Sequence, residues 1–448
     1  MSGNPRLSSA FNKYVNSEQK KLAKSEEKIQ RQDAEVKLVQ DFKGRVSAIR
    51  ESMQPFRSVS DFRELKGRTS SDDIMSVSAV DKNVAKPGTY EFEVLSLANS
   101  DSIMTFGFPD RDRSEVGVGY ISFKTPEGTE QDIYINSDNN TLDGVAATIN
   151  KANVGVTAMV VNDGTDAEEP WRLVISGKTT GWRHDYEWPK FYMVDGDLDL
   201  DVDRNRDAAS AVLRINGHPI MADENKLKDL IPGVNIDLKK AQPGQTVTLT
   251  VEPDIEKISG KAGTMVEKIN SALQFIHDQN KLDQHSRKDP SKALGGDVLL
   301  QTIESKMKSL IQRTQNQIPA QMVKRLSDVG IEFTRQGTLS FSGEKFQKQL
   351  ESNFEEVEAL FSGTGPMGGF AAEMITLVDG VTRGGDGLMT IREKNLRDRM
   401  TDLEKRRDRE EQAVQKKIEK MKIDFGKAEA AMEEMQQIQA NMGAAMAR

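Results

Sequence analysis

Residues 388–442 have the sequence LMTIREKNLRDRMTDLEKRRDREEQAVQKKIEKMKIDFGKAEAAMEEMQQIQANM, with no proline. Apolar residues recur in it at steps of three, four and seven, and we expect this stripe to contain Leu396, Met400, Leu403, Ile418, Met421, Phe425, Met432 and Met435. This spacing is typical of an α-helix with one apolar face. Such a helix cannot bury the face by itself, so the pattern predicts a partner helix.

The other end of the chain shows the same pattern. No proline occurs from Arg6 to Gln54, and apolar residues again recur at helical steps. We expect one long helix here, broken near Gly44 and ended by Pro55. Leu22, Ile29 and Val36 complete the predicted partner-helix seam with the C-terminal residues above. A chain with two such ends is expected to assemble with partners rather than to catalyse a reaction.

The C-terminal stripe is interrupted in its middle. Between Leu403 and Val414 the apolar steps lose their phase, because Arg407 and Glu410 occupy seam positions. We expect a polar interruption or a local change of supercoil at this point.

The middle of the chain is rich in predicted strands. Thr246–Glu252 alternates threonine with valine and leucine, and Tyr90, Phe92 and Val94 alternate with glutamate. Strict alternation predicts half-buried strands, and frequent Pro-Gly and Asn-Gly turns separate them. One short helix is predicted at Leu142–Ala152, within a sheet-rich region of roughly residues 76–253.

These patterns predict an α+β multidomain protein, in which long terminal helices form a coiled coil and a helical bundle and two β-rich head domains are inserted between them. We predict four domains. They are the terminal coiled-coil helices (1–40 and 388–448), a helical bundle with a small β-hairpin (41–75 and 254–387), a β-rich head domain (76–102 and 208–253) and a second, inserted β-rich head domain (103–207).

Composition excludes several classes of function. The chain has 448 residues, a net charge of −8 and no cysteine. The absence of cysteine excludes disulfides, thiolate metal sites and cysteine nucleophiles, and the negative charge disfavours a nucleic-acid partner. No segment is long and apolar enough for a membrane span. The first residues lack the pattern of a cleaved signal peptide, which fits a cytosolic protein or one exported by another route.

Catalytic and cofactor motifs are not found. The four histidines, His184, His218, His277 and His285, have no metal-ligand spacing and no neighbouring nucleophile motif. The glycine clusters at 363–369 and 384–387 match no nucleotide loop and are interpreted as hinges. We therefore expect no catalytic residue, no cofactor, no metal site and no enzymatic activity.

The acidic segment from Asp195 to Asp203 allows two interpretations. Asp197, Asp199, Asp201 and Asp203 alternate with apolar residues, so an extended strand would place their carboxylates on one face. Calcium binding needs several such oxygens, but the glycine and glutamate of an EF-hand loop are missing. A solvated strand edge is the favoured interpretation, because charge on an edge resists aggregation.

Four stretches together resemble the bacterial flagellar filament-cap family, also called hook-associated protein 2. The first is the opening helix with the strand that ends in YEFEVLSLA (90–98), and the second is TLDGVAATINKA (141–152) with RLVISG (172–177). The third is VLRING (212–217) with LIPGVNIDL (230–238), and the fourth is LSDVGIEFTRQGTLSF (326–341) with VEALFSG (357–363). The resemblance covers nearly the whole chain, although family members usually open with a glycine-rich segment and this chain reaches its helix at once.

The resemblance implies a structural cap at the distal tip of the bacterial flagellar filament. It implies that the cap retains exported flagellin and promotes its folding and insertion into the growing filament. The implied partners are further copies of the chain in a ring, five-fold in the family, together with flagellin, the hook-filament junction proteins, the flagellar type III export apparatus and an export chaperone. The implied location is extracellular, at the flagellum tip, after export without a cleaved signal peptide. A surface adhesin acting through the β-rich head is the alternative.

Overall fold

The computed structural model describes residues 5–124, 129–165, 167–184, 189–281, 294–315, 323–364 and 367–446. The chain divides into two compact units. Met1–Phe62 and Ile255–Arg448 form the helical unit, and Arg63–Asp254 forms the β-rich unit. The α+β multidomain class predicted from the sequence is confirmed. The finer division into four domains stays a prediction.

The α-helices of the described residues, in chain order, are α1 (Pro5–Met53), α2 (Val59–Phe62), α3 (Leu142–Ala152), α4 (Ile255–Asn280), α5 (Val298–Gln312), α6 (Gly343–Ser362), α7 (Phe370–Thr382) and α8 (Leu388–Met446). All except α3 belong to the helical unit. No helix in the described part of the chain combines the length and the apolar character that crossing a bilayer requires.

Helix α1 continues through Gly44, so the predicted break at this residue is wrong. Gly44 is exposed and has open space around it. A glycine inside a helix costs only about 1 kcal/mol relative to alanine. The buried residues Phe42, Val46 and Ile49 on either side anchor the helix through this point.

The core of the helical unit is built on the second half of α1. Val39, Phe42, Val46, Ile49 and Met53 are buried there, where α1 packs against α4 and α7. Phe361 of α6 lies at the centre of an aromatic cluster. Its ring centroid lies 5.1 to 6.2 Å from those of Phe56, Phe62, Phe346 and Phe370.

Helix α6 continues past a kink at Asn353 and ends at Ser362. Asn353 has non-helical backbone angles (φ −139°, ψ 44°). Beyond it Val357, Leu360 and Phe361 are buried. Core packing therefore carries the helix past a residue that favours helix ends.

The strands of the described residues are β1 (Leu65–Thr69), β2 (Met75–Val80), β3 (Gly88–Ser96), β4 (Ser102–Thr105), β5 (Val118–Lys124), β6 (Glu130–Ile135), β7 (Val156–Asn162), β8 (Trp171–Gly177), β9 (Lys190–Val194), β10 (Val202–Arg206), β11 (Ala211–Ile215), β12 (His218–Ala222), β13 (Lys226–Ile231), β14 (Val234–Leu238), β15 (Thr246–Pro253), β16 (Ile331–Phe333), β17 (Leu339–Phe341), β18 (Gly363–Thr364) and β19 (Met367–Gly368). Strands β1 to β15 belong to the β-rich unit.

The β-rich unit contains two hydrophobic cores. The first lies among a five-stranded sheet of order β1-β15-β3-β11-β12 and a three-stranded sheet of order β13-β14-β2. Strand β1 pairs with β15, so this unit already begins before the predicted boundary at residue 75. A two-residue turn, Asn216-Gly217, joins β11 to β12 with both residues at positive φ, as such hairpins require.

The second core lies between α3 and two further sheets. Their orders are β10-β4-β8-β7 and β6-β5-β9. Helix α3 begins where predicted, because the Thr141 hydroxyl accepts a hydrogen bond from the Gly144 amide. Leu142, Val145 and Ile149 form its fully buried face.

Arg172 joins two acidic side chains in this region. Its Nε donates to Asp163 Oδ2 at 2.8 Å and its Nη1 donates to Asp203 Oδ2 at 2.8 Å. The Thr165 hydroxyl and amide also donate to Asp163. The Thr165 hydroxyl and the Arg172 guanidinium lower the pKa of Asp163 from 3.8 to about 2.

The lowered pKa predicts a pH effect on the stability of the β-rich unit. The unfolded chain binds the Asp163 proton more readily, so the ionised carboxylate stabilises the folded state above pH 3.8, and this contribution is lost as the pH falls to about 2. The urea midpoint of unfolding, measured by tryptophan fluorescence, should fall as the pH is lowered from 3.8 to about 2. We expect this fall to be smaller in Asp163→Asn than in the unchanged protein. Asp138→Asn, at an exposed position, serves as the control and should follow the unchanged protein.

The acidic segment does not form one continuous strand. Asp195 adopts a positive φ of 57°, and β10 begins only at Val202. Asp197 accepts a hydrogen bond from the Glu115 amide, whereas Asp199 and Asp201 are exposed. Within the described ranges no three His, Asp or Glu side chains form a group that could hold a metal ion. His285 lies outside the described residues.

Candidate partner-helix interface

Helices α1 and α8 pack side by side in opposite directions. The ring centroids of Phe11 and Phe425 are 5.5 Å apart, the Ser25 hydroxyl donates to Glu410 at 2.8 Å, and Gln40 donates to Glu393 at 2.9 Å. Residue numbers thus rise along α1 as they fall along α8. We call α1 and α8 the terminal helix pair.

The base of the terminal helix pair belongs to the core of the helical unit. Val36 and Leu396, two of the predicted seam residues, are buried in that core. The helices are therefore held together firmly at the end where α8 begins.

The rest of the seam is incompletely buried. Eight predicted residues are only half-buried, namely Leu22, Ile29, Met400, Leu403, Ile418, Met421, Phe425 and Met432. The Met435 side chain is 64% exposed. Two helices thus cover only part of this apolar surface, which is the expected condition of helices that pack on further helices.

Sequence reasoning missed several residues of α1 that lie on the same side. Glu18, Ser25 and Gln32 follow Phe11 at steps of seven, and none of these four is fully exposed. Glu18 is buried, and Lys21 donates to its carboxylate at 2.6 Å. The seven-residue spacing is visible in the sequence, but Glu18, Ser25 and Gln32 are polar and so lie outside a seam predicted from apolar residues.

The predicted interruption of the α8 stripe faces polar residues of α1. Arg407 lies 4.0 Å from Glu26, and Glu410 accepts the hydrogen bond from Ser25. The neighbouring Asp408 carboxylate raises the pKa of Arg407. Charged seam positions are thus paired across the two helices and can fix their register.

A polar junction lies closer to the core. The Glu393 carboxylate accepts hydrogen bonds from Gln40 (2.9 Å), Lys43 (3.3 Å) and Arg397 (2.9 Å). These donors, first the Gln40 amide, hold the pKa of Glu393 below its ordinary value. The carboxylate therefore stays ionised and ties the start of α8 to α1.

Arg392 extends this junction to α5. Its Nη2 donates to Glu35 at 3.0 Å and to Asp297 at 3.2 Å. The other oxygen of Asp297 accepts the Leu299 and Leu300 amides and so caps α5. One guanidinium therefore connects α1, α8 and the start of α5.

Gln32 carries a buried polar atom in the seam. It lines a groove of about 210 Å³ together with Arg399, Asp402, Leu403 and Arg406. Its Nε2 is inaccessible to solvent and has no hydrogen-bond acceptor among the described residues. An unsatisfied buried donor costs about 1–3 kcal/mol.

We expect Gln32→Leu to stabilise the terminal helix pair by about 1 kcal/mol, because an apolar residue removes this cost at a seam position. The change should raise the urea midpoint of the far-ultraviolet circular dichroism signal. Gln30→Leu, at an exposed position two residues away, is the control. An equal gain in both variants would mean that the seam environment of Gln32 contributes nothing.

Two regions of the chain match the N-terminal and C-terminal models of one protein family. Residues 6–101, which include nearly all of α1, match the flagellar hook-associated protein 2 N-terminus. Residues 208–437, which include most of α8, match the flagellar hook-associated protein 2 C-terminus. The two helices that pair in the structure thus lie in the two matched regions.

Individual relatives agree with this match. The B-type flagellar hook-associated protein 2 of Pseudomonas aeruginosa is 28% identical over 351 residues, which are 72% of this chain and 71% of the relative. The flagellar hook-associated protein 2 of Xenorhabdus nematophila is 24% identical over 420 residues, or 84% and 85% of the two chains.

A solved structure shows the same fold. The D1-D2-D3 domains of the flagellar cap protein FliD from Escherichia coli superpose with a TM-score of 0.57 at 20% identity. The match covers 80% of this chain and 99% of that one. The predicted resemblance is confirmed, and the chain belongs to the flagellar hook-associated protein 2 family.

Proposed function

We propose that the chain is a structural cap at the distal tip of the bacterial flagellar filament, where it retains exported flagellin and promotes its folding and insertion. The observation that carries the proposal is the pairing of α1 with α8, because these helices lie in the two family matches and leave most of their shared seam half-buried. The comparisons give no support to a surface adhesin acting through the β-rich head.

The seam residues supply the proposed mechanism of attachment. Apolar side chains from Leu22 to Met435 would complete their burial against helices of neighbouring subunits. The polar positions Arg407 and Glu410 would keep such contacts weak enough to exchange, since each exposed ion pair contributes less than about 1 kcal/mol. A cap must hold its place and yet move as each new subunit is inserted below it.

Several finer points belong to the same proposal. The cap would be a ring of copies of this chain, five-fold as in the family, in contact with flagellin and with the hook-filament junction proteins. It would reach its extracellular position through the flagellar type III export apparatus, with an export chaperone and without cleavage of a signal peptide. We propose a structural role without catalysis, and the four predicted domains with one change: β1 joins the first β-rich domain, because it pairs with β15.

Deletion of the gene tests the cap role directly. We expect cells without it to release unpolymerised flagellin into the medium and to carry few or no filaments, because nothing retains the exported subunits at the tip. Flagellin in the medium and filaments on cells are measured together, and the restored gene is the control. Normal filaments with little free flagellin would overturn the proposal.

A further inference from the structure

One surface of the β-rich unit plays no part in the fold or in the proposed helix contacts. In the three-stranded sheet β6-β5-β9, alternate residues such as Ile121, Phe123 and Ile133 are buried in the second core. The residues between them face outward and form what we call the tyrosine face: Val118, Tyr120, Ser122, Asp132, Tyr134, Lys190, Tyr192 and Val194.

Three tyrosines form a row across this face. Tyr120 of the central strand stands opposite Tyr134 on one side and Tyr192 on the other. The ring centroids of Tyr120 and Tyr192 are 4.7 Å apart and stacked, and those of Tyr120 and Tyr134 are 6.1 Å apart. Tyr134 is 72% exposed and Tyr192 48% exposed. Ordered, exposed tyrosines are typical of protein–protein contacts, because they bury a large area at little entropic cost.

The next row along the strands carries opposite charges at its two ends. Ser122 of β5 stands opposite Asp132 of β6 and Lys190 of β9. Two strand spacings separate the backbones of Asp132 and Lys190, on the order of 10 Å. Neither side chain forms an ion pair or a hydrogen bond within the described part of the chain, and both are exposed.

We infer that the tyrosine face is a docking surface for the same face of a second copy of this chain. A two-fold axis parallel to β5 places β6 of one copy over β9 of the other. Asp132 of each copy then faces Lys190 of the other copy, and Tyr134 faces Tyr192 of the other copy. Tyr120 faces Tyr120 of the other copy. The charges are therefore complementary in a contact of the face with itself, as a two-fold interface requires.

This contact differs from the ring proposed for the cap and does not depend on it. A cyclic ring of five joins two different surfaces of neighbouring subunits, whereas a two-fold contact joins one surface to itself. The tyrosine face thus pairs copies that are not neighbours in a ring. Two such sheets would pack with their backbones about 10 Å apart.

Site-specific cross-linking in the full chain tests the contact. The chain has no cysteine, so Ser122→Cys introduces a single thiol next to the two-fold axis. A bis-maleimide that spans about 10 Å, the separation of packed sheets, should join two copies at this position. Thr157→Cys, exposed on strand β7 of another sheet, should give no cross-linked dimer.

Charge variants in the Ser122→Cys background test the symmetry. Lys190→Asp places two acidic groups opposite each other at both ends of the contact, and Asp132→Lys places two basic groups there. For each variant alone, the yield of cross-linked dimer should be at least about tenfold lower than that of the Ser122→Cys parent. An equal mixture of the two variants should recover it, because both charge pairs are then attractive. Lys228→Asp, on β13, is the control and should cross-link like the parent.

Tyr134→Ala, in a chain with Lys190 and Asp132 intact, gives an independent measurement. It should reduce cross-linking at least about tenfold, since truncation of an aromatic hot-spot residue in an interface commonly costs that much. Unchanged circular dichroism verifies folding of each variant. The inference is overturned if the Ser122→Cys parent forms no cross-link through its introduced thiol. It is also overturned if the mixture behaves like its separate components, as expected if another polypeptide covers this face.

Discussion

Replacing both Met421 and Phe425 with aspartate should abolish filament assembly in cells while leaving the protein folded and exported. Both side chains are half-buried on α8, and Phe425 packs on Phe11 at 5.5 Å. Partner helices would complete their burial in the proposed cap. Two carboxylates in such a contact would each lose their hydration without a counter-charge, a cost of several kcal/mol. The variant should therefore behave like the gene deletion, with free flagellin in the medium.

Ile423→Asp is the matched control for this variant. Ile423 lies between the two residues on the same helix and is 56% exposed, on the side away from the seam. Each substitution in the two variants replaces an apolar residue of α8 with aspartate, so the effect on the helix and the added charge per site are comparable. The variants differ in whether the substituted side chain lies on the seam side of α8. We expect normal filaments from Ile423→Asp. Filaments from the double variant, or equal loss in both, would exclude Met421 and Phe425 from the working seam.

Local sequence patterns predicted well where several helices begin and end. The limits of α1 and α3 agree with the predicted ones within about a residue, because prolines, caps and apolar periodicity are properties of neighbouring residues. The start of α8 at Leu388 follows from the glycines before it in the same way. Such signals require no knowledge of the tertiary structure.

Long-range contacts were less accessible. Strand β9 has no clear alternation of polar and apolar residues, since Phe191 and Met193 face the core while Tyr192 and Val194 are apolar and face outward. The tyrosine face was therefore not recognised, because it exists only when three separate strands are paired. The junction at Glu393 and Arg392 likewise joins residues that are more than 300 positions apart from Gln40 and Glu35.

Phe361→Ala should destabilise the helical unit by about 3–5 kcal/mol, the usual cost of removing a fully buried phenylalanine side chain. The ring is completely buried, and four other rings surround it. These neighbours come from α2, α6, α7 and the turn after α1, so they cannot all move into the cavity. Phe425→Ala removes the same side chain from a half-buried position and should have a smaller effect.

The chain offers separate optical signals for its two units. All three tryptophans, at positions 171, 182 and 188, belong to Arg63–Asp254. Helical circular dichroism comes mainly from the other unit, because α3 is the one α-helix among the described residues of the β-rich unit. If the units unfold independently, Phe361→Ala will lower the urea midpoint of the circular dichroism signal and leave that of tryptophan fluorescence unchanged.

The two midpoints also decide how the first variant is to be interpreted. The seam substitutions at Met421 and Phe425 should leave both midpoints nearly unchanged, because those residues contribute little to the core of the helical unit. Loss of filaments with both midpoints intact then reflects a lost contact with partner subunits. A fall in the circular dichroism midpoint as large as that of Phe361→Ala would instead attribute the loss of filaments to unfolding. Parallel shifts of both signals in Phe361→Ala would contradict independent unfolding of the units.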